Sequence, residues 1–149
     1  MNAEAPASAF CFQPPAAIMS PTMPASPEFD HSAIYVRDLK RSTGFYTDVL
    51  RLEHMPDPFH DDAHVWFRVG KHEQLHVISG AAEPVRPDIH VHLAFRVADL
   101  DEFMRHLDAR GVAYSGTRGK QPNVRPDGFR QVYFQDPDGY WIEVNDCAR

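Results

Sequence analysis

The chain has 149 residues, 43% of them hydrophobic and 24% charged, and its formal net charge is -6 with the histidines neutral. This is the composition of one ordinary globular domain, or of two small modules that share a core. The acidic balance argues against nucleic acid and membrane surfaces as partners, and no apolar run approaches the length of a transmembrane helix.

The first part of the chain differs in composition from the rest. Residues 1–28 are rich in Ala, Pro, Ser and Met without hydrophobic periodicity, which predicts a disordered tail. Cys11 and Cys147 lie near opposite ends, without the spacing of a metal site, and favour a reducing compartment. Because no Lys or Arg precedes Arg37 to form a secretory or transit signal, we expect a cytoplasmic protein.

Residues 29–80 predict a module with the order β-α-β-β-β. Asp38 is a candidate helix cap, and apolar residues then recur at helical spacing to about residue 50. In the third strand, Val65 and Phe67 alternate with Trp66 and Arg68, as in a strand with one buried face. The predicted strands are 31–36, 53–55, 65–69 and 74–78.

The pattern repeats in residues 88–146, after a linker at 84–87. Asp99 and Glu102 are spaced as a capping pair for a helix that ends at Gly111. The predicted strands are 89–97, 112–114, 131–134 and 140–145. One spacing relates three pairs: His31 and His92, Asp38 and Asp99, Leu39 and Leu100. We therefore predict an α+β fold in which two paired βαβββ modules form a curved mixed sheet around a cleft.

A carboxylate in the middle of the last strand needs a partner. Glu143 stands between aromatic and β-branched residues, where an unpaired charge is costly. The repeat places His31 and His92 at equivalent positions of the two first strands, and His76 at the position of Glu143 in module 1. Three imidazoles and one carboxylate suit one divalent ion such as Zn, Ni, Co, Mn or Fe(II). His90 is the alternative ligand.

Three segments together resemble the vicinal oxygen chelate superfamily, and glyoxalase I (lactoylglutathione lyase) in particular. They are residues 31–50, with His-x6-Asp-Leu-x2-Ser-x2-Phe-Tyr-x2-Val-Leu; His92; and residues 136–143, Asp-Pro-Asp-Gly-Tyr-Trp-Ile-Glu. The resemblance covers about residues 29–146. It implies a paired βαβββ fold, a divalent metal that chelates neighbouring substrate oxygens, and a Glu143 that is both ligand and proton-shuttling base. It also implies a homodimer, which is common among relatives.

The resemblance implies a metal-dependent lyase or isomerase that stabilises an enediolate-type intermediate of a small α-oxo or thioester-like substrate. Candidate substrate-binding residues are Trp66, Arg68, Arg130 and Trp141. Glyoxalase I usually has Glu where this chain has His76, and a basic residue where it has Asp48. The second difference argues against glutathione conjugates, unless an arginine such as Arg125 substitutes.

Two other functions stay open. If His76 stands aside, His31, His92 and Glu143 form the two-histidine, one-carboxylate set of ring-cleaving Fe(II) dioxygenases. A protein similar to the bleomycin-resistance proteins would instead sequester a ligand in the same cleft without a metal. Metal content separates this last function from the two enzymes, and oxygen uptake separates the enzymes from each other.

Overall fold

The computed structural model describes residues 26–117, 119 and 122–147. Module 1 consists of β1 (His31–Val36), α1 (Leu39–Asp48), β2 (Glu53–Met55), β3 (His64–Val69) and β4 (Glu73–Ser79). Module 2 consists of β5 (His92–Arg96), α2 (Leu100–Ala109), β6 (Asn123–Val124), β7 (Arg130–Gln135) and β8 (Trp141–Asn145). The predicted α+β fold of two βαβββ modules is confirmed.

Each module folds into a four-stranded mixed sheet that carries one helix. The strand orders are β1-β4-β3-β2 and β5-β8-β7-β6, so the first strand of each module pairs in parallel with its last. Both helices begin at a capping aspartate: Asp38 accepts a hydrogen bond from the Arg41 N–H, and Asp99 accepts one from the Glu102 N–H. No helix among the described residues is long and apolar enough to span a membrane.

The structure corrects two strand boundaries in module 2. β5 begins at His92 rather than at residue 89, because Asp88 forms a turn in which it accepts hydrogen bonds from the N–H groups of His90 and Val91. Residues 112–114 are not a strand, since the Val112 N–H closes the end of α2. A short strand, β6, lies instead in the loop that follows. Of the predicted disordered tail, residues 1–25 lie outside the described residues.

The helix-bearing sides of both modules contribute to one hydrophobic core. Ile34 and Val77 of module 1 belong to the same buried cluster as Val132 and Val144 of module 2. The rings of Phe45, on α1, and Phe134, on β7, lie 6.2 Å apart across the junction. Because strand residues alternate between faces, the opposite face of each sheet is directed away from this core. The two sheets do not close on each other.

The turn before β8 ties module 2 to module 1 through two buried carboxylates. The Tyr46 hydroxyl donates to Asp136 (2.8 Å), the Ser42 hydroxyl donates to Asp138 (3.0 Å), and the Arg37 guanidinium donates to Asp138 (2.8 Å). Burial raises the pKa of Asp136, although the Tyr46 hydrogen bond opposes this. Burial also acts to raise the pKa of Asp138, but hydrogen bonds from Arg37 and Ser42 outweigh it and lower that pKa.

We expect Asp138→Asn to reduce the free energy of unfolding at neutral pH by about 1–2 kcal/mol, because charge-assisted hydrogen bonds become neutral ones. The folded-state pKa of Asp138 is depressed. Its contribution is therefore present above its unfolded-state pKa of about 3.9 and is lost as the pH falls through the folded-state pKa. Denaturant unfolding at several pH values measures this, with the exposed Asp62→Asn as control. If Asp138→Asn still had a lower free energy of unfolding than wild type in acid, the contribution could not come from the charge of Asp138.

Candidate functional site

The two modules place polar side chains at equivalent positions on their open faces. Ala33 of β1 pairs with His76 of β4, and Ala94 of β5 pairs with Glu143 of β8. Each alanine follows a histidine by two residues, so that histidine shares the open face with the side chain paired to the alanine. This gives one pair in each module: His31 with His76, and His92 with Glu143.

In module 1, His76 lies between two rings. The rings of His31 and His76 are stacked with centroids 4.3 Å apart, and the Trp66 ring centroid is 3.5 Å from that of His76. His31 Nδ1 is 2.6 Å from Asp30, and His76 Nε2 is 2.9 Å from Gln74 Oε1. The hydrogen bond to Asp30 fixes the His31 tautomer and leaves Nε2 with a free lone pair. Burial and then electrostatic repulsion by the protonated form of His31 lower the pKa of His76.

In module 2, Glu143 is buried and its two oxygens are both engaged. The Tyr133 hydroxyl donates to Oε2 (2.6 Å), and the Asn145 amide donates to Oε1 (2.8 Å). His92 Nδ1 is 2.7 Å from the Ile89 carbonyl, which leaves His92 Nε2 facing Glu143 Oε2 at 3.2 Å. A carboxylate and an imidazole nitrogen therefore converge on one point.

Sequence reasoning missed Tyr133, which lies opposite Glu143 in the register of β7 and β8. Burial and then the hydrogen bond to Glu143 raise the pKa of Tyr133, so the phenol remains a proton donor. The alternation of Gln131 and Tyr133 with Val132 in β7 is the signal that could have revealed it, because it indicates a polar face beside Glu143.

The four predicted substrate-binding residues lie in different places. Trp66 and Arg68 are on the open face of module 1, and Trp141 shares the open face of module 2 with Glu143. Arg130 is on the opposite, helix-bearing side of its sheet. Its guanidinium is paired with Asp101 (2.9 Å) and Asp146 (2.8 Å), which accounts for its charge within the fold.

The open face of module 2 continues into a cavity beside Tyr133. Its volume is about 640 Å³, which is enough for a small molecule. His90, Arg125 and Gln131 give its wall donors, while Val124 adds apolar surface. The loop before β7 therefore shapes the space next to Glu143.

One chain does not bring the two pairs together. Within the described ranges, no group of three or more His, Cys, Asp or Glu side chains is close enough to hold a metal ion. The His31–His76 pair and the His92–Glu143 pair lie in different sheets, and a cavity of about 330 Å³ is lined by Ala33 of one open face and by His92 and Trp141 of the other. Each module thus presents half of the predicted donor set.

Comparison with known proteins identifies the family. The model of the Glyoxalase/Bleomycin resistance protein/Dioxygenase superfamily matches residues 28–144. The chain belongs to this superfamily. YwbC of Bacillus subtilis is 26% identical over 121 residues, which cover 76% of this chain and 93% of YwbC.

Solved structures of other proteins have a similar fold. Oxidase ChaP-H1 is 29% identical, with a TM-score of 0.65 over 83% of this chain and 98% of that one. A lactoylglutathione lyase from Agrobacterium tumefaciens is 24% identical, with a TM-score of 0.62 over 83% of this chain and 96% of that one. A lyase and an oxidase are thus both among the solved structures whose fold this chain resembles.

We expect Tyr133→Phe to lower the free energy of unfolding of the metal-free protein by about 1–2 kcal/mol, because the buried Glu143 loses a short hydrogen bond. Tyr114→Phe is the matched control, since its hydroxyl reaches the exposed Asp108 only at 3.4 Å. Urea unfolding of both variants measures the difference. Equal effects would show that the Tyr133 hydroxyl does not support Glu143.

Proposed function

We propose that the protein is a divalent-metal-dependent enzyme of glyoxalase type that acts on a small α-oxo or thioester-like substrate. The observation that carries this proposal is the pair of equivalent half-sites, each with side chains already oriented by hydrogen bonds. Nδ1 of His31 contacts Asp30 and Nδ1 of His92 contacts the Ile89 carbonyl, while Nε2 of His92 faces Glu143. Orienting bonds of this kind are typical of metal-binding histidines.

The donor set fits a borderline divalent metal. The imidazoles of His31 and His92 and the buried carboxylate of Glu143 are the ligand types that Zn, Ni, Co, Mn and Fe(II) accept. His76 is the fourth candidate. Its Nε2 contacts Gln74, so binding through that atom requires the hydrogen bond to break.

A homodimer would complete the site. A twofold axis repeats every contact, so placing module 1 of one chain against module 2 of its partner creates two identical four-residue sets.

In the proposed reaction, Glu143 transfers the proton that is bound to the carbon next to the substrate carbonyl. A bound divalent metal supplies Lewis-acid polarisation of two neighbouring substrate oxygens. Glu143 is oriented for proton transfer because Tyr133 and Asn145 hold its oxygens. Trp66 and Trp141 would line the two halves of the cleft and exclude water. The cavity beside Tyr133 leaves room for the rest of the substrate.

A second candidate is an Fe(II)-dependent oxygenase that uses His31, His92 and Glu143. Two observations favour it: ChaP-H1, at 29% identity, is named an oxidase, and His76 is engaged by Gln74. Oxygen consumption by the iron-loaded protein distinguishes this candidate from the lyase. A protein that binds no metal after reconstitution would instead be a ligand-sequestering member of the superfamily.

We expect about one divalent metal per chain in wild-type protein purified without a His-tag. Glu143→Gln should lower the metal affinity by more than the 10–100-fold that is typical of losing an outer hydrogen-bond partner. His72→Ala, on an exposed turn, is the control. Elemental analysis measures the metal content, and competition with a chelator measures the metal affinity. Unchanged affinity in Glu143→Gln would reject the site, and retention in His76→Ala would reduce it to three protein ligands.

Mixing two inactive variants tests whether each site needs two chains. His31→Ala damages only module 1, and Glu143→Gln damages only module 2. If sites form between chains, refolding an equal mixture yields heterodimers with one intact site, and metal binding returns to about a quarter of the wild-type level. If each site forms within one chain, every site in the mixture stays damaged and no binding returns. Each variant refolded alone is the baseline.

A further inference from the structure

Two arginines converge on one buried histidine at the junction of the modules. His106, on α2, is 8% exposed, and its Nε2 is 3.0 Å from the Val49 carbonyl of module 1. Since this nitrogen donates to a carbonyl, Nδ1 is the acceptor. Arg51 of module 1 reaches Nδ1 at 2.9 Å, and Arg110 of module 2 reaches the same atom at 3.1 Å.

This arrangement leaves two positive charges close together. The two guanidinium nitrogens that share His106 Nδ1 lie within about 6 Å of each other, inside the Debye length at physiological salt. Neither Arg51 nor Arg110 forms an ion pair with a carboxylate in the described part of the chain. Each guanidinium has five N–H donors, so most of them remain available to a ligand.

The backbone at Arg51 indicates that its side chain has a use. Arg51 has a φ of 56°, a left-handed conformation that favours glycine. α2 in module 2 is also followed by a left-handed residue, Gly111, at a φ of 65°. The hydrogen bonds of the two turns differ in span: the Leu52 N–H donates to the Tyr46 carbonyl six residues back, and the Val112 N–H donates to the Leu107 carbonyl five residues back. Module 1 thus has an arginine at a position whose backbone conformation favours glycine.

We propose that Arg51 and Arg110 form a binding site for a small oxyanion of the phosphate or carboxylate class. Two guanidinium forks can hold such an anion by paired, charge-assisted hydrogen bonds. Arg51 also lines a neighbouring cavity of about 220 Å³ together with Asp99 and Glu102. Because the arginines come from different modules, a bound anion ties the modules together.

The test compares anions at constant ionic strength, with chloride as the reference. Inorganic phosphate or malonate should raise the Tm of the metal-loaded wild-type protein with its concentration, because it binds the folded state. A response to phosphate alone assigns the phosphate class, and a response to malonate alone assigns the carboxylate class. A response to neither overturns the proposal.

Three variants test whether Arg51 and Arg110 are responsible for the Tm shift. Arg51→Gly should fold at least as well as wild type, since glycine suits its backbone, and yet lose the Tm shift. Arg110→Gln should also lose the shift. Arg105→Gln removes an exposed charge elsewhere on α2 and should keep it. If all three variants keep the wild-type shift, the anion binds elsewhere, for example at the metal, and the proposal is wrong.

Discussion

The shared hydrophobic core is the constraint on which the rest of the structure depends. Each βαβββ module is too small to bury the apolar side of its own sheet and helix completely, so the two modules bury these sides against each other. That solution uses one face of each sheet and leaves the other face open. The open faces carry the polar residues of the candidate site, with His31 and His76 in one sheet and His92 and Glu143 in the other.

The turn at residues 136–139 couples this core to Glu143. Asp136 and Asp138 bond to α1 and to the segment before it, so the start of β8 is fixed relative to module 1. Gly139 has a φ of 94°, and a Cβ there would meet the Val85 carbonyl, so the turn requires glycine. Glu143 follows in the same strand. Stability and the proposed function are thus linked, because the contacts that join the modules also fix the position of the proposed catalytic carboxylate.

The sequence contained most of the fold and part of the candidate site. The repeat and the strand alternation predicted the two modules and placed His31, His76, His92 and Glu143 on open faces, because local periodicity reports which face is buried. Periodicity does not report what a face packs against, so the separation of the two pairs was not predictable. Arg130 shows the same limit: its charge suggested a ligand contact, but its register turns it towards Asp101.

His76 in module 1 and Glu143 in module 2 occupy equivalent positions. This difference in residue type has a chemical consequence. With three neutral imidazoles and one carboxylate, a divalent ion in the proposed set keeps a net positive charge, whereas a second glutamate would cancel it. A positive site strengthens the polarisation of bound oxygens and favours an anionic partner. The pKa of His76 is lowered by burial and by His31, so this imidazole is available as a neutral donor near neutral pH. The module 1 half-site is therefore suited to supply nitrogen without charge, and module 2 to supply the base.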